Sequence, residues 1–195
     1  PRIAAGDAIT ALGYTEPASG SDVAAAQTRA VRVGDEWVIN GQKMFTSGAN
    51  VAQYVFLLTR TDAQAKKHRG LTMFLVPLDT PGIEIQAVHT LSDERTNVTF
   101  YSDVRVPDRY RIGEVNGGWD VVAYALELEH SGTYPYHHRD LIDAAVRWAR
   151  EARRDGRPAL EDPRVKERLG RAATHFEAAR VHTRRSVFLA AEGHT

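Results

Sequence analysis

Residues 15–22 are the stretch of the chain best suited to chemistry, because hydroxyl side chains, an acid and a glycine stand together there. Their sequence is Thr-Glu-Pro-Ala-Ser-Gly-Ser-Asp. Such a loop can direct backbone N–H groups and hydroxyls at an anion or a polar ring edge, because Gly20 permits close backbone approach. The same residues are common turn formers, so an ordinary surface turn is the alternative interpretation.

A second candidate is a pair of acidic residues, Glu127 and Glu129, on a predicted helix. The apolar residues before them recur at helical spacing and share one face: Trp119, Val122 and Leu126. Glu129 continues that face, whereas Glu127 points away from it. We expect a carboxylate on an apolar face to be partly desolvated, which suits a general base.

Other reactive residue types give weaker signals. His137 and His138 are adjacent, and neighbouring residues on a helix point in different directions, so no metal site is predicted. The chain has no cysteine, which excludes disulfide bonds and thiolate chemistry. A basic run at Arg150, Arg153, Arg154 and Arg157 is interpreted as a solvated helix end.

The bulk composition does not favour nucleic-acid or membrane binding. The formal net charge is 0, so no overall attraction to nucleic acid is predicted. No apolar run approaches the roughly 20 residues of a membrane span. The N-terminal residues lack a secretory signal pattern, so a cytoplasmic protein is expected. Because the chain does not begin with Met, we also expect a fragment of a longer protein.

The chain up to about residue 111 has the pattern of short strands separated by turns. β-forming residues are concentrated in six runs, at residues 24–33, 36–39, 55–59, 71–76, 83–88 and 98–101. Asn40-Gly41 predicts a hairpin turn between residues 37–39 and 44–45, because both residues tolerate positive φ. The polar residues 63–69 predict a mobile loop. Such regular spacing predicts an antiparallel barrel or sandwich.

From Gly118 onwards the apolar spacing becomes helical. A second helix is predicted from Leu141, Ile142, Ala145, Val146 and Ala149, and a third from Val165, Leu169, Ala172, Ala173, Phe176, Ala179 and Thr183. Asp162 is predicted to cap the third helix, with Pro163 in its first turn. The predicted fold class is α+β: an antiparallel β-barrel or sandwich over residues 1–115, then the first helices of a C-terminal helical bundle over residues 116–195.

Four segments, in order, carry a resemblance to a known family. They are residues 13–22 (Gly-Tyr-Thr-Glu-Pro-Ala-Ser-Gly-Ser-Asp), residues 41–49 (Gly-Gln-Lys-Met-Phe-Thr-Ser-Gly-Ala), residues 91–95 with 104–107, and residues 113–119. Together they resemble the middle β-domain and the start of the C-terminal helical domain of the acyl-CoA dehydrogenases.

The resemblance implies FAD as the cofactor. The positions that it assigns to FAD are Leu12, Tyr14, Thr15, Gly20, Ser21, Phe45, Thr46 and Ser47. Thr15 is expected at the pyrimidine side of the flavin. Phe45 stands where the family usually places Trp against the flavin face, and Ser47 stands where a Thr hydroxyl usually reaches flavin N5. Ser21 and His130 are the expected substrate contacts.

The resemblance also implies a catalytic base. One base position of the family lies late in the C-terminal domain, beyond this chain, and the other aligns with Glu129. Where the family often has Arg beside this position, the chain has His130. An Arg- and Phe-Gly-containing motif that reaches FAD from a neighbouring subunit is replaced here by residues 155–158, Asp-Gly-Arg-Pro.

The implied activity is FAD-dependent α,β-dehydrogenation of an acyl-CoA thioester, by α-proton abstraction and β-hydride transfer to flavin N5. Electron-transfer flavoprotein is the implied electron acceptor, and a homo- or heterotetramer, a dimer of dimers, is the implied assembly. Residues 93–97 and 117–119 also resemble branches that act on steroid side chains as heteromers. The alternatives are an acyl-CoA oxidase or flavin monooxygenase on the same fold, and a non-catalytic partner subunit of a heteromer.

Overall fold

The computed structural model describes residues 2–130 and 134–193, with the side chains of residues 130, 134–136 and 190 left out of the description. Eight strands of the described chain form one sheet: β1 (Thr10–Gly13), β2 (Arg29–Val33), β3 (Glu36–Lys43), β4 (Tyr54–Arg60), β5 (Leu71–Pro77), β6 (Ile83–His89), β7 (Arg95–Pro107) and β8 (Arg111–Ile112). The α+β prediction is confirmed.

The sheet is mostly antiparallel and open. Its order is β6-β7-β3-β2-β4-β5-β8, and β1 pairs with β4 in parallel. β6 and β8 form the two ends of that order, so the described strands do not close into the barrel that the sequence left open as one possibility.

The core of the sheet is built by strand alternation. Trp37 and Ile39 on β3 and Val55 and Leu57 on β4 are two residues apart and buried, as period-two strands require. Phe74 of β5 meets Trp37 edge to face, with ring centroids 5.4 Å apart. The six predicted β-runs therefore correspond to strands of the sheet, although residues 23–25 at the start of the first run form a 3-10 turn.

The predicted hairpin at Asn40-Gly41 is wrong. Both residues lie inside β3, where the register against β7 shifts between Ile39 and Gly41. Gly41 is needed because its φ is 147° and an added Cβ would lie 2.7 Å from Thr28 Cα. The hairpin is instead the two-residue turn before Glu36, where Gly34 has φ 64°. Residues that tolerate positive φ suit bulges as well as turns, which explains the error.

Within the described residues, three helices follow the sheet: α1 (Gly118–His130), α2 (Tyr134–Glu151) and α3 (Pro163–Ala191). Between α2 and α3, β9 (Arg153–Arg154) and β10 (Arg157–Pro158) pair across a tight turn. The predicted cap is confirmed, since Asp162 Oδ1 accepts the N–H of Arg164 at 2.8 Å. Phe176 of α3 is buried, as predicted, whereas Leu141 of α2 is exposed.

The chain divides into two units, Pro1–Ala125 and Leu126–Thr195. The first holds the sheet and the beginning of α1. The second holds the end of α1 together with α2 and α3. No helix in the described part of the chain is long and apolar enough to cross a membrane.

Candidate functional site

The loop after β1 separates residues that hold it from residues that it presents. Glu16 and Ser19 exchange backbone hydrogen bonds, at 2.8 and 3.0 Å, and both are buried. Gly20 and Ser21 are exposed. A Cβ on Gly20 would meet nothing within 4 Å, so open space lies in front of this residue. The loop is thus fixed from within and free to bind on its outer side.

A buried ion pair fixes the loop to the end of β3. Lys43 Nζ lies 2.7 Å from Glu16 Oε1 and donates a second hydrogen bond to the carbonyl of Tyr14 at 3.2 Å. Lys43 is 0% exposed. The Glu16 carboxylate also accepts the backbone N–H groups of Gln27 and Thr28, at 2.7 and 2.9 Å. Such a buried charge needs this full set of partners.

Burial and pairing act differently on the two pKa values. Burial lowers the pKa of Lys43 to about 8, although the Glu16 carboxylate opposes that change. Burial alone would raise the pKa of Glu16, but the charge of Lys43 and the hydrogen bonds from Lys43, Thr28 and Gln27 outweigh it and hold the pKa below its usual value. The ion pair therefore stabilises the loop, and its pairing favours the ionised form of Glu16.

The segment after β3 exposes an aromatic ring from a strained backbone. The N–H of Met44 donates to the carbonyl of Thr15 at 2.8 Å, which sets this segment beside the first loop. Phe45 follows with φ 56°, a left-handed conformation that is costly for a bulky residue. Its side chain is 57% exposed. A large ring held outwards at a conformational cost indicates a binding surface.

The predicted cofactor residues divide between surface and interior. Leu12 and Ser47 are exposed, and Ser47 Oγ lies 3.0 Å from Thr96 Oγ1. Tyr14 is buried, and its ring meets that of Phe56 edge to face. Thr46 is fully buried. The side chains of Tyr14 and Thr46 therefore support the outer surface, which comprises the exposed Leu12, Gly20, Ser21, Phe45 and Ser47 and the half-buried Thr15.

The polar loop at residues 63–69 is tied to this surface. Lys67 forms an ion pair with Asp22 at the end of the first loop. Arg60 donates from Nη1 to the Lys67 carbonyl at 2.9 Å and from Nη2 to the Ala24 carbonyl at 2.6 Å. The sequence predicted a mobile loop here and missed the ion pair between Lys67 and Asp22, because these residues are far apart in the chain.

The beginning of α1 packs closely on the sheet. A Cβ on Gly118 would lie 2.8 Å from Thr72 Cα, so only glycine fits there. The N–H of Asn116 donates to Thr72 Oγ1 at 2.9 Å. The ring of Trp119 meets that of His68 edge to face, with centroids 4.4 Å apart. The fourth motif thus fixes where α1 begins.

The C-terminal end of α1, unlike its beginning, is exposed in the described chain. Glu129 and Glu127 are both exposed, so the desolvation expected for Glu129 is not found in the described chain. An apolar stripe buries a side chain only where another element covers it, and the described residues do not cover this end of the stripe. The side chain of His130, predicted to contact substrate, lies outside the described residues.

Sequence reasoning missed the residues that organise the surface from inside. Glu16 and Lys43 belong to the matched segments but were given no role. The signal was present for Lys43, because alternation from Trp37 and Ile39 places it on the buried face. Asn97 was also missed, although it is hydrogen-bonded to both the N–H and the carbonyl of Thr46.

Comparison with known proteins agrees with this arrangement. The family model for the acyl-CoA dehydrogenase middle domain matches residues 11–102, and the model for the acyl-CoA dehydrogenase C-terminal domain matches residues 116–195. The chain is 39% identical over 173 residues to the acyl-CoA dehydrogenase FadE29 of Mycobacterium tuberculosis, a match that covers 87% of this chain and 44% of that protein.

Comparison with solved structures also identifies acyl-CoA dehydrogenases as similar proteins. The Tcur3481-Tcur3483 steroid ACAD aligns with a TM-score of 0.89 at 40% identity, over 97% of this chain and 49% of that one. The ChsE4-ChsE5 complex from Mycobacterium tuberculosis aligns with a TM-score of 0.87 at 37% identity, over 99% of this chain and 50% of that one. This chain therefore spans about half the length of these relatives. Its two matched domains, in the family's order, show that the chain belongs to the acyl-CoA dehydrogenase family.

Proposed function

We propose that this chain is the flavin-binding and base-bearing part of an FAD-dependent acyl-CoA dehydrogenase. The observation that carries the proposal is the exposed Phe45 ring, held in a left-handed backbone conformation two residues before exposed Ser47, with the preceding Met44 bonded to the Thr15 backbone. In this proposal residues 1–115 form the middle β-domain, which binds flavin and acyl-CoA. Residues 116–195 begin the C-terminal helical domain.

The chemistry of this outer surface fits FAD. A flavin ring needs an apolar face to lie on and polar groups for its edge, and Phe45 with the hydroxyls of Thr15 and Ser47 offers both. The open space beside Gly20 and the Ser21 hydroxyl suit the pyrophosphate. When bound, FAD supplies the acceptor for the hydride that leaves Cβ of the substrate.

The remaining chemistry belongs to residues of this chain. Glu129 takes the proton from Cα of the acyl thioester, and the Cα–H bonding pair forms the new double bond as hydride leaves Cβ. Ser21 and His130 contact the substrate. An exposed carboxylate is a poor base for a weakly acidic C–H, so this role requires that Glu129 be covered in the whole enzyme.

The substrate and the partners are inferred from the relatives. One matched structure is that of a steroid ACAD, and another is a complex of two differently named chains. We infer an acyl-CoA substrate with a steroid side chain or a fatty acyl group, and a dimer of dimers as the assembly, either homomeric or heteromeric. Electron-transfer flavoprotein is the inferred electron acceptor.

Anaerobic mixing of the purified full-length protein with a panel of acyl-CoA thioesters tests the proposal. We expect the protein to carry flavin absorbance, and we expect at least one thioester to bleach it within the dead time of manual mixing. Peroxide release in air at the rate of turnover would show an oxidase instead. A colourless protein that gains no flavin absorbance with added FAD would show a non-catalytic partner subunit.

A further inference from the structure

Residues 45–47 form a tight turn where the chain leaves the sheet. Up to Lys43, β3 pairs with β7, and Lys43 lies opposite Thr99. Beyond Lys43 the ladder stops, and the N–H of Ser47 donates to the carbonyl of Phe45 at 2.8 Å. The backbone of buried Thr46 at the centre of this turn therefore needs partners that the ladder no longer supplies.

Asn97 supplies those partners from the neighbouring strand. Its carbonyl accepts the N–H of Thr46 at 2.8 Å, and its side-chain Nδ2 donates to the carbonyl of Thr46 at 3.1 Å. The second Nδ2 hydrogen bond goes to Asn50 Oδ1 at 3.1 Å, and Asn97 Oδ1 accepts from Arg95 Nε at 3.0 Å. Asn97 is 0% exposed, so these contacts replace water completely.

This bonding pattern requires an amide. Nδ2 donates to two acceptors, while Oδ1 accepts from a cation, and only Asn or Gln offers both groups. A carboxylate would keep the contact with Arg95 but would face the carbonyl oxygen of Thr46, which can only accept. That replacement would remove the side-chain hydrogen bond to Thr46 and so loosen the turn.

We propose that Asn97 is the positioning residue that fixes the Phe45 ring and the Ser47 hydroxyl for flavin binding. It acts through Thr46, the residue between them, and has no contact of its own with the cofactor. The inference rests on the proposed function, in which residues 45–47 form part of the FAD site. It also predicts a property of the FAD-free protein, namely a rigid turn.

The test compares Asn97→Asp and Asn50→Ala with Asn40→Asp in the full-length protein. Asn40 is a matched control, because it is an exposed Asn in the same sheet that exchanges hydrogen bonds with Asp103. Asn50 is exposed, so Asn50→Ala removes one partner of Asn97 without opening the core. This variant keeps the test valid if Asn97→Asp does not fold.

The first measurement is hydrogen exchange of the Thr46 and Ser47 amides in the FAD-free protein. We expect exchange to be about tenfold faster in Asn97→Asp and about threefold faster in Asn50→Ala, with no change in Asn40→Asp. Unchanged exchange in both test variants would overturn the inference. This measurement requires no bound FAD, so it can succeed even where the proposed function fails.

The second measurement is FAD affinity, followed by flavin fluorescence, together with the absorbance band shape of the bound flavin. We expect Asn50→Ala to weaken FAD binding about threefold and to shift the band, with an unchanged urea denaturation midpoint. Wild-type affinity and band shape in a variant with fast amide exchange would show that the turn does not position the flavin. A wild-type protein that binds no FAD would refute the proposed function, and the amide exchange would still decide the role of Asn97 in the turn.

Discussion

The proposed flavin-binding surface of the first unit is supported by buried residues within the described chain, whereas the Glu129 end of α1 has no such support among the described residues. The segments that carry Phe45 and Ser47 are fixed by buried, paired polar groups: Lys43 pairs with Glu16, and Asn97 donates to the carbonyl of Thr46. Glu129 is exposed. Binding geometry can therefore be organised within one unit, whereas the environment of a base depends on what covers it.

The largest expected effect tests the Glu129 side of this comparison. Glu129→Gln should slow flavin reduction by an acyl-CoA by about 10²–10⁴-fold, because Gln cannot accept the Cα proton. FAD affinity should be unchanged, since the surface formed by the first unit remains. Rapid-mixing absorbance under anaerobic conditions measures the rate. Glu127→Gln is the matched control, and equal rates in the two variants would remove Glu129 as the base.

The next effect tests the ion pair behind the surface. Lys43→Met should lower the free energy of unfolding by about 3–5 kcal/mol, because it leaves the Glu16 carboxylate buried beside an apolar side chain. Urea denaturation measures this change. Arg105→Met is the control, because Arg105 pairs with Glu36 at 3.6 Å on the exposed face and should cost about 1 kcal/mol or less. If Lys43→Met lowers the free energy of unfolding no more than the control does, the Lys43–Glu16 ion pair does not stabilise the fold.

A third effect tests the strain at Phe45. Phe45→Gly should be more stable than Phe45→Ala by about 1 kcal/mol, because φ is positive there and only Gly adopts it freely. At the exposed β6 residue Gln86, where φ is not positive, the order should be the usual one, with Ala more stable. Thermal denaturation of the four variants gives both orders. Both Phe45 variants should bind FAD more weakly, and wild-type affinity would contradict the role of the ring.

The smallest expected effect is a pH dependence from Glu16. Its pKa is held below the ordinary value of 4.5, so its ionised form stabilises the fold above that pH and the stabilisation is lost as the pH falls. The difference in unfolding free energy between wild type and Glu16→Gln should therefore shrink as the pH falls below the ordinary value of 4.5. Urea denaturation at several pH values measures it, and a constant difference would show that Glu16 does not titrate with folding.

Local patterns predicted much of the fold, because strand alternation and helical spacing reflect burial directly. Trp37 and Ile39 marked a buried strand face, and Asp162 marked the start of α3. Asn40-Gly41 misled because a bulge and a hairpin use the same residue types.

Only the outward-facing residues of the candidate site could be predicted from the sequence. Family resemblance indicated Phe45 and Ser47, which face outwards, but the partners of Lys43 and Asn97 come from distant segments that the sequence does not bring together. The exposure of Glu129 could not be predicted either. Helical periodicity identifies an apolar face but does not say whether another element covers it.

A crystal structure of the full-length protein with FAD bound is the decisive measurement for the proposed flavin site. We predict the flavin ring against the Phe45 side chain, with the Thr15 and Ser47 hydroxyls at its edge and the Lys43–Glu16 pair intact behind it. A flavin bound elsewhere, or a turn at residues 45–47 rebuilt with Phe45 buried, would show that this surface is not the cofactor site.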